Sequence, residues 1–178
     1  GEIAAYEISK TLPYKLISVQ TPMGQSECFE LEHQPVLATI LRAGVPLHQG
    51  LLNYFDQADN AFVAAYRKHH RDGSFEIDQQ YLTCPELEGR PLIIADPMLA
   101  TGASLVLTLE NLTDGCRPSV IHFVSAIACT EGIDLVTRKF PDVHIWTAAI
   151  DDELTARGYI VPGLGDAGDL AYGVKKQS

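Results

Sequence analysis

The 178-residue chain is long enough to bury a core of its own, and 46% apolar with 20% charged residues is the composition of a soluble globular protein. Thirteen Lys and Arg against 23 Asp and Glu leave a net charge of −10, a field that repels polyanions and so excludes nonspecific binding to nucleic acid or to anionic membranes. No apolar run is long enough to cross a bilayer, and the N-terminus carries no signal-peptide pattern.

In chain order, Glu2–Lys10 suits a short helix that Pro13 ends. Tyr14–Gln20 alternates as a strand does, and the turn TPMG leads to a second extended stretch at Glu27–Glu32. Pro35–Gly44, PVLATILRAG, is a nearly continuous apolar strand that breaks into Arg-Ala-Gly. The apolar spacing of Val45, Leu47, Leu51, Leu52 and Phe55 predicts a helix. Ala61–Arg67 is the next strand, and the polar run Lys68–Gln80 predicts an exposed arm in which FEIDQQYL can alternate as a strand. Arg90–Asp96, RPLIIAD, is a buried strand, and Ser104–Gly115 a helix closed by glycine. SVIHFVSAIA, EGIDLVTRKF and DVHIWTAAID continue as strand, helix and strand.

Apolar strands that alternate with amphipathic helices predict an α/β fold with a parallel sheet, in one domain over residues 1–178. Ligands of such sheets bind at the carboxyl ends of the strands. Arg42, Arg67 and Asp96 stand at three of those ends. The tail Gly158–Gly173, GYIVPGLGDAGDLAYG, is too rich in glycine for an ordinary helix and predicts a shaped loop whose backbone approaches a ligand.

Between the strand ending at Asp96 and the next helix lies the turn Thr101-Gly102-Ala103-Ser104. The first N–H groups of a helix lack internal partners, and with the helix dipole they form an anion site that the two hydroxyls extend. Thr or Ser is equally the ordinary choice for a helix cap. The turn is neither GxxxxGK[ST] nor GxGxxG. Asp96 could accept hydrogen bonds from sugar hydroxyls or reach a magnesium ion through water, or it could simply cap the turn that follows.

The four cysteines, Cys28, Cys84, Cys116 and Cys129, have neither CxxC spacing nor a neighbouring base, which favours incidental thiols in a reduced, cytoplasmic setting. His33, His48, His69, His70, His122 and His144 show no zinc spacing and read as ordinary surface or core histidines.

DPMLATGAS followed by GYIVPGLGDAGD resembles uracil phosphoribosyltransferase, as do ILRAG, the downstream YR, EGI at Glu131–Ile133 and PDVHIWTAAID at Pro141–Asp151. The resemblance runs from about Val36 to Gly173. It implies a phosphoribosyltransferase core with a small hood drawn from the chain's two ends and an extended arm. It further implies transfer of ribose 5-phosphate from phosphoribosyl pyrophosphate to N1 of uracil, with Mg2+ as cofactor. By the same resemblance Ala100, Thr101, Gly102, Ala103 and Ser104 cradle the 5-phosphate and Asp96 meets the ribose hydroxyls. Arg42 and Arg67 hold pyrophosphate, which bidentate guanidinium groups suit better than lysine does. Asp166 sits near magnesium and the reacting centre, and Ile160 and Gly165, with Ala167 beside them, read uracil through backbone groups.

The family usually has a second glycine at Ala103 and a basic residue at Leu170. Its early residues, which support a homodimer and sometimes activation by guanosine triphosphate, are largely missing before Glu2–Lys10. Ala103 and Leu170 motivate an alternative, a regulatory protein that binds uracil, uridine monophosphate or phosphoribosyl pyrophosphate without turnover. A phosphoribosyltransferase for another base is a third reading, against which YIVPGLGD counts.

Overall fold

The computed structural model describes residues 1–69 and 75–174, with the side chains of residues 65–80 outside that description. Helix α1 (Glu2–Ser9) and a hairpin of β1 (Tyr14–Thr21) and β2 (Gly24–Leu31) come first. The core follows as β3 (Val36–Leu41), α2 (Val45–Tyr54), β4 (Asp59–His69), β5 (Phe75–Thr83), β6 (Pro91–Ala95) and β7 (Met98–Leu99). It continues with α3 (Ala103–Leu112), β8 (Val120–Cys129), α4 (Thr130–Lys139) and β9 (Val143–Asp151). A two-stranded ladder of β10 (Glu153–Leu154) and β11 (Ile160–Val161) and a short α5 (Ala167–Tyr172) close the chain.

The central sheet runs β5-β4-β3-β6-β8, with β9 on the far side of β8. Every pairing in it is parallel except β4 with β5. After β3 the chain crosses through α2 to β4, on one side; after β6 it crosses through α3 to β8, on the other. The order therefore reverses between β3 and β6, which leaves a crevice beyond their carboxyl ends.

Both faces of the sheet are covered, so its strands are apolar on consecutive residues. Val36, Ala38, Ile40, Leu92 and Ile94 pack with Leu105 and Leu109 of α3 and Val136 of α4. The alternate residues Leu37, Ile93 and Ala95 pack with Ala5 and Ile8 of α1 and Leu51 and Phe55 of α2. β1 and β2 pair only with each other and leave Leu16, Val19, Met23 and Phe29 exposed.

The arm anticipated at 68–80 is the outer part of the β4–β5 hairpin, with a register shift between Ala64 and Ala65; residues 70–74 lie outside the described residues. Two expectations are corrected. The glycine-rich tail does contain a helix, α5, because the Asp166 carboxylate caps it by accepting the Asp169 N–H at 2.9 Å. The cap of α3 is neither Thr101 nor Ser104 but Gly102, whose φ of +80° is left-handed.

Gly102 also seats the turn on α4. A Cβ at Gly102 would lie 2.8 Å from the Gly132 carbonyl oxygen, and a Cβ at Gly132 would run into the Ala100 carbonyl oxygen. Two backbones touch there with no side chain between them.

His48 and His122 are core histidines, and among the described residues no three His, Cys, Asp or Glu side chains gather into a metal-holding group. No helix among those residues is long and apolar enough to cross a membrane. Trp146 donates its Nε1–H to His122 Nδ1 at 3.0 Å, which leaves the ring proton on Nε2, where no partner lies among the described residues. Burial, with the facing His144, pushes the His122 pKa down to about 4.

The Gly132→Ala variant is expected to lose about 1–3 kcal/mol by overpacking, read as a lower urea midpoint at unchanged slope. An unchanged midpoint would show that the contact yields freely. His122 stays neutral in the fold, whereas the unfolded residue takes a proton below pH 6.5. Stability from this group is complete above pH 6.5 and is lost as pH falls toward 4, by roughly 3 kcal/mol at most. Melting curves from pH 7 to 4.5 should fall less steeply in His122→Gln than in the wild type, and equal slopes would reject this assignment.

Candidate active site

The crevice between β3 and β6 collects the chemically loaded residues. Thr39, fully buried, donates its hydroxyl to the Ala95 carbonyl at 3.5 Å and stitches the two strand ends together. One residue past β3 stands Arg42, joined to Leu41 through a cis peptide bond. One residue past β6 stands Asp96, whose backbone N–H still bonds to the Val124 carbonyl at 3.1 Å, so the strand geometry aims its side chain. Asp96 Oδ1 accepts the Met98 N–H at 3.3 Å, an Asx turn that supplies the capping role anticipated for it.

Residues 100–104 then enter α3. Gly102 is buried, and Ala100, Thr101, Ala103 and Ser104 are half-buried. The cap residue Gly102 has no side chain to offer the helix N–H groups. The Ala103 N–H, the first of the helix, donates to Thr101 Oγ1 at 3.4 Å across the turn. Left-handed backbone is confined to glycines among the described residues, so the methyl of Ala103 sits on an ordinary helical backbone. A ten-residue helix whose start is half-open to solvent and whose cap residue is a glycine is a favourable seat for an anion.

The glycine-rich tail comes back over Arg42. Arg42 Nη2 is 2.8 Å from Asp169 Oδ1, and Nη1 donates to the Gly173 carbonyl at 3.4 Å. Asp166, half-buried, caps the helix on which Asp169 rides. Asp151, at the end of β9, accepts the Gly163 N–H at 3.1 Å and anchors the turn after the cis Val161–Pro162 bond.

Ile160 is buried and pairs with Leu154, while Thr155 N–H bonds to the Tyr159 carbonyl at 2.8 Å. Hydrogen-bonded and non-hydrogen-bonded pairs alternate in an antiparallel ladder. Pair 155/159 is of the first kind, so Ile160 belongs to the second and turns its N–H and C=O away from β10. Gly165 is exposed in the following turn and Ala167 begins α5 half-buried.

Of the residues singled out in the sequence, the fold brings Arg42 and Asp166 together through α5 and sets Asp96 and residues 100–104 at the neighbouring strand end. Arg67 does not end its strand but lies inside β4, paired with Ile77, because β4 continues to His69; its side chain is outside the described residues. Sequence reasoning missed Asp169, Asp151 and Gly132. The second aspartate of GDAGD, one helical turn after Asp166, was the available signal for the first.

Comparison with known proteins bears on the family and the fold. The family model for uracil phosphoribosyltransferase matches residues 1–174. A Porphyromonas gingivalis protein named uracil phosphoribosyltransferase is 49% identical over 176 residues, covering 98% of this chain and 82% of that one. A Pyrococcus furiosus protein of the same name is 39% identical, covering 97% and 75%. A solved structure from Aquifex aeolicus superposes with a TM-score of 0.89 at 34% identity, over 97% of this chain and 81% of that one. A hypoxanthine phosphoribosyltransferase from Staphylococcus aureus, 13% identical with a TM-score of 0.57 over 86% and 71% of the two chains, shares the fold alone. With an α/β core of the phosphoribosyltransferase type and a family match over nearly its whole length, the chain belongs to the uracil phosphoribosyltransferase family.

Proposed function

We propose that this protein transfers ribose 5-phosphate from phosphoribosyl pyrophosphate to uracil, forming uridine monophosphate and pyrophosphate in pyrimidine salvage. The observation that carries this reading is the Arg42–Asp169 ion pair, which ties the end of β3 to the GDAGD segment at the crevice where the chain order reverses.

In the reaction the bond from ribose C1 to pyrophosphate breaks and one to uracil N1 forms. Charge accumulates on the departing pyrophosphate, and Arg42 and Arg67 offer planar forks of N–H donors to it. The N–H groups at the start of α3, with the Thr101 and Ser104 hydroxyls, hold the 5-phosphate over residues 100–104. Asp96 takes the ribose hydroxyls. Uracil's two carbonyls and its N–H are complemented by the outward backbone groups of Ile160 and by Gly165, with Ala167 beside them. Asp166 stands by the reacting centre and is the candidate acceptor for the N1 proton.

Magnesium usually binds through one or two carboxylates together with substrate phosphates, keeping several waters. That mode asks for only one or two side chains, and Asp166, half-buried at the start of α5, is a carboxylate of that kind. Asp166 would hold the ion, through water, and the ion would neutralise phosphate charge.

We also propose a homodimer in the cytoplasm. The unaccompanied β1–β2 hairpin exposes Leu16, Val19, Met23 and Phe29, and a two-stranded ribbon is marginal without a covering surface. The free cysteines suit a reducing compartment. Nothing in the geometry favours the reading without turnover, because Ala103 keeps the backbone that the turn requires.

Incubation with uracil, labelled phosphoribosyl pyrophosphate and magnesium should yield labelled uridine monophosphate; binding of both substrates without product would sink the proposal. In Arg42→Ala, kcat/KM for phosphoribosyl pyrophosphate should fall about a hundredfold, the scale of losing one charged transition-state contact. Unchanged kinetics would remove Arg42 from the site.

A further inference from the structure

We infer that Asp169 is a positioning residue for pyrophosphate recognition, its carboxylate holding the Arg42 guanidinium against α5 so that the remaining N–H groups of the fork face the crevice. The inference rests on the role proposed for Arg42. Asp169 belongs to none of the groups assigned to substrate above.

Arginine is long and flexible, and Arg42 keeps 41% of its side chain exposed, so its own backbone does little to direct it. Direction comes from α5. Asp169 Oδ1 engages Nη2 at 2.8 Å in the first turn, and the Gly173 carbonyl accepts from Nη1 at 3.4 Å just past the last. One terminal nitrogen is thus held by a carboxylate and the other by a carbonyl at the negative end of the helix. Guanidinium carries five N–H donors in one plane, so two anchors fix the plane and leave donors for another anion.

The anchor is itself held. Asp166 Oδ1 accepts the Asp169 N–H at 2.9 Å, and the Asp166 carbonyl accepts the Leu170 N–H at 3.0 Å. Helix α5 lies against the Arg42 segment: a Cβ at Gly168 would stand 3.2 Å from Asp166 Oδ1, 3.5 Å from Arg42 Nη2 and 3.8 Å from Ala43 Cβ. The path Asp166–Asp169–Arg42 therefore joins the aspartate proposed for the reacting centre to the arginine proposed for the leaving group.

Solvent-exposed ion pairs contribute little to stability. With its side chain 25% exposed and its partner 41%, the Asp169 pair acts on where the guanidinium points more than on whether the chain folds.

The test compares the full-length wild type with Asp169→Asn, Asp169→Glu, Arg42→Ala and the Asp169→Asn/Arg42→Ala double variant. Calorimetry with inorganic pyrophosphate and magnesium reads binding without turnover, steady-state kinetics read each substrate, and thermal melts check folding. Asp169→Asn should weaken pyrophosphate and raise KM for phosphoribosyl pyrophosphate about fivefold, the weakening expected when a charged hydrogen bond becomes a neutral one. Its melting temperature and its KM for uracil should stay near the wild-type values. Asp169→Glu should recover part of the loss, and the double variant should bind pyrophosphate no more weakly than Arg42→Ala.

Unchanged or tighter pyrophosphate binding in Asp169→Asn, with Arg42→Ala impaired, overturns the positioning role alone; tighter binding would mean that the carboxylate competes with the ligand. A double variant weaker than Arg42→Ala overturns it as well, because Asp169 would then act independently of the arginine. Unimpaired binding in Arg42→Ala overturns both this inference and the assignment of Arg42.

Discussion

Two neighbouring parallel strands that send their chains to opposite sides of a sheet leave the space between their carboxyl ends without a crossover. In this protein those strands are β3 and β6, and the Thr39 hydroxyl bonds one end to the other through the Ala95 carbonyl. The rest of the site depends on that gap. Arg42 and Asp96 are the first residues past the two ends, α3 starts beside them, and the tail returns across the opening to meet Arg42. Residues far apart in the chain become neighbours because the sheet, rather than any local motif, decides where each strand stops.

The acidic composition and the anionic substrates are compatible for the same reason. A net charge of −10 sets the far field, while affinity for a phosphate depends on donors within hydrogen-bond reach. The donors proposed for that task are the N–H groups at the start of α3 and the Arg42 fork, the first seated on α4 and the second held by Asp169. The carboxylates nearby have tasks of their own, Asp166 as a helix cap and Asp151 as the anchor of the Gly163 turn.

Much of this was legible beforehand, and the reasons are local. β3 and β6 are covered on both faces, so their residues are apolar except for the buried Thr39 and stand out from the chain. The turn after Asp96 is read from Gly102 and the apolar spacing of α3, and the resemblance of GYIVPGLGDAGD located the tail. What failed was whatever depends on distant contact. Helix α5 was hidden because glycines at its margins outweighed the capping carboxylate of Asp166. Arg67 reads as a strand end because the polar run after it disguises two more strand residues, Lys68 and His69, as an arm. Gly132 and Asp169 carried no sign of the Ala100 carbonyl or of Arg42, which stand opposite them only in the folded chain.

The seat of residues 100–102 on α4 has a thermodynamic side. Side chains that wedge a loop in place bring rotamers of their own, and some of that freedom is lost when a ligand arrives. Backbone resting on backbone at Gly102 and Gly132 has no rotamers to freeze. The cradle proposed for the 5-phosphate is therefore shaped before any anion arrives, and its ordering cost is incurred once, when the chain folds, instead of at every binding event.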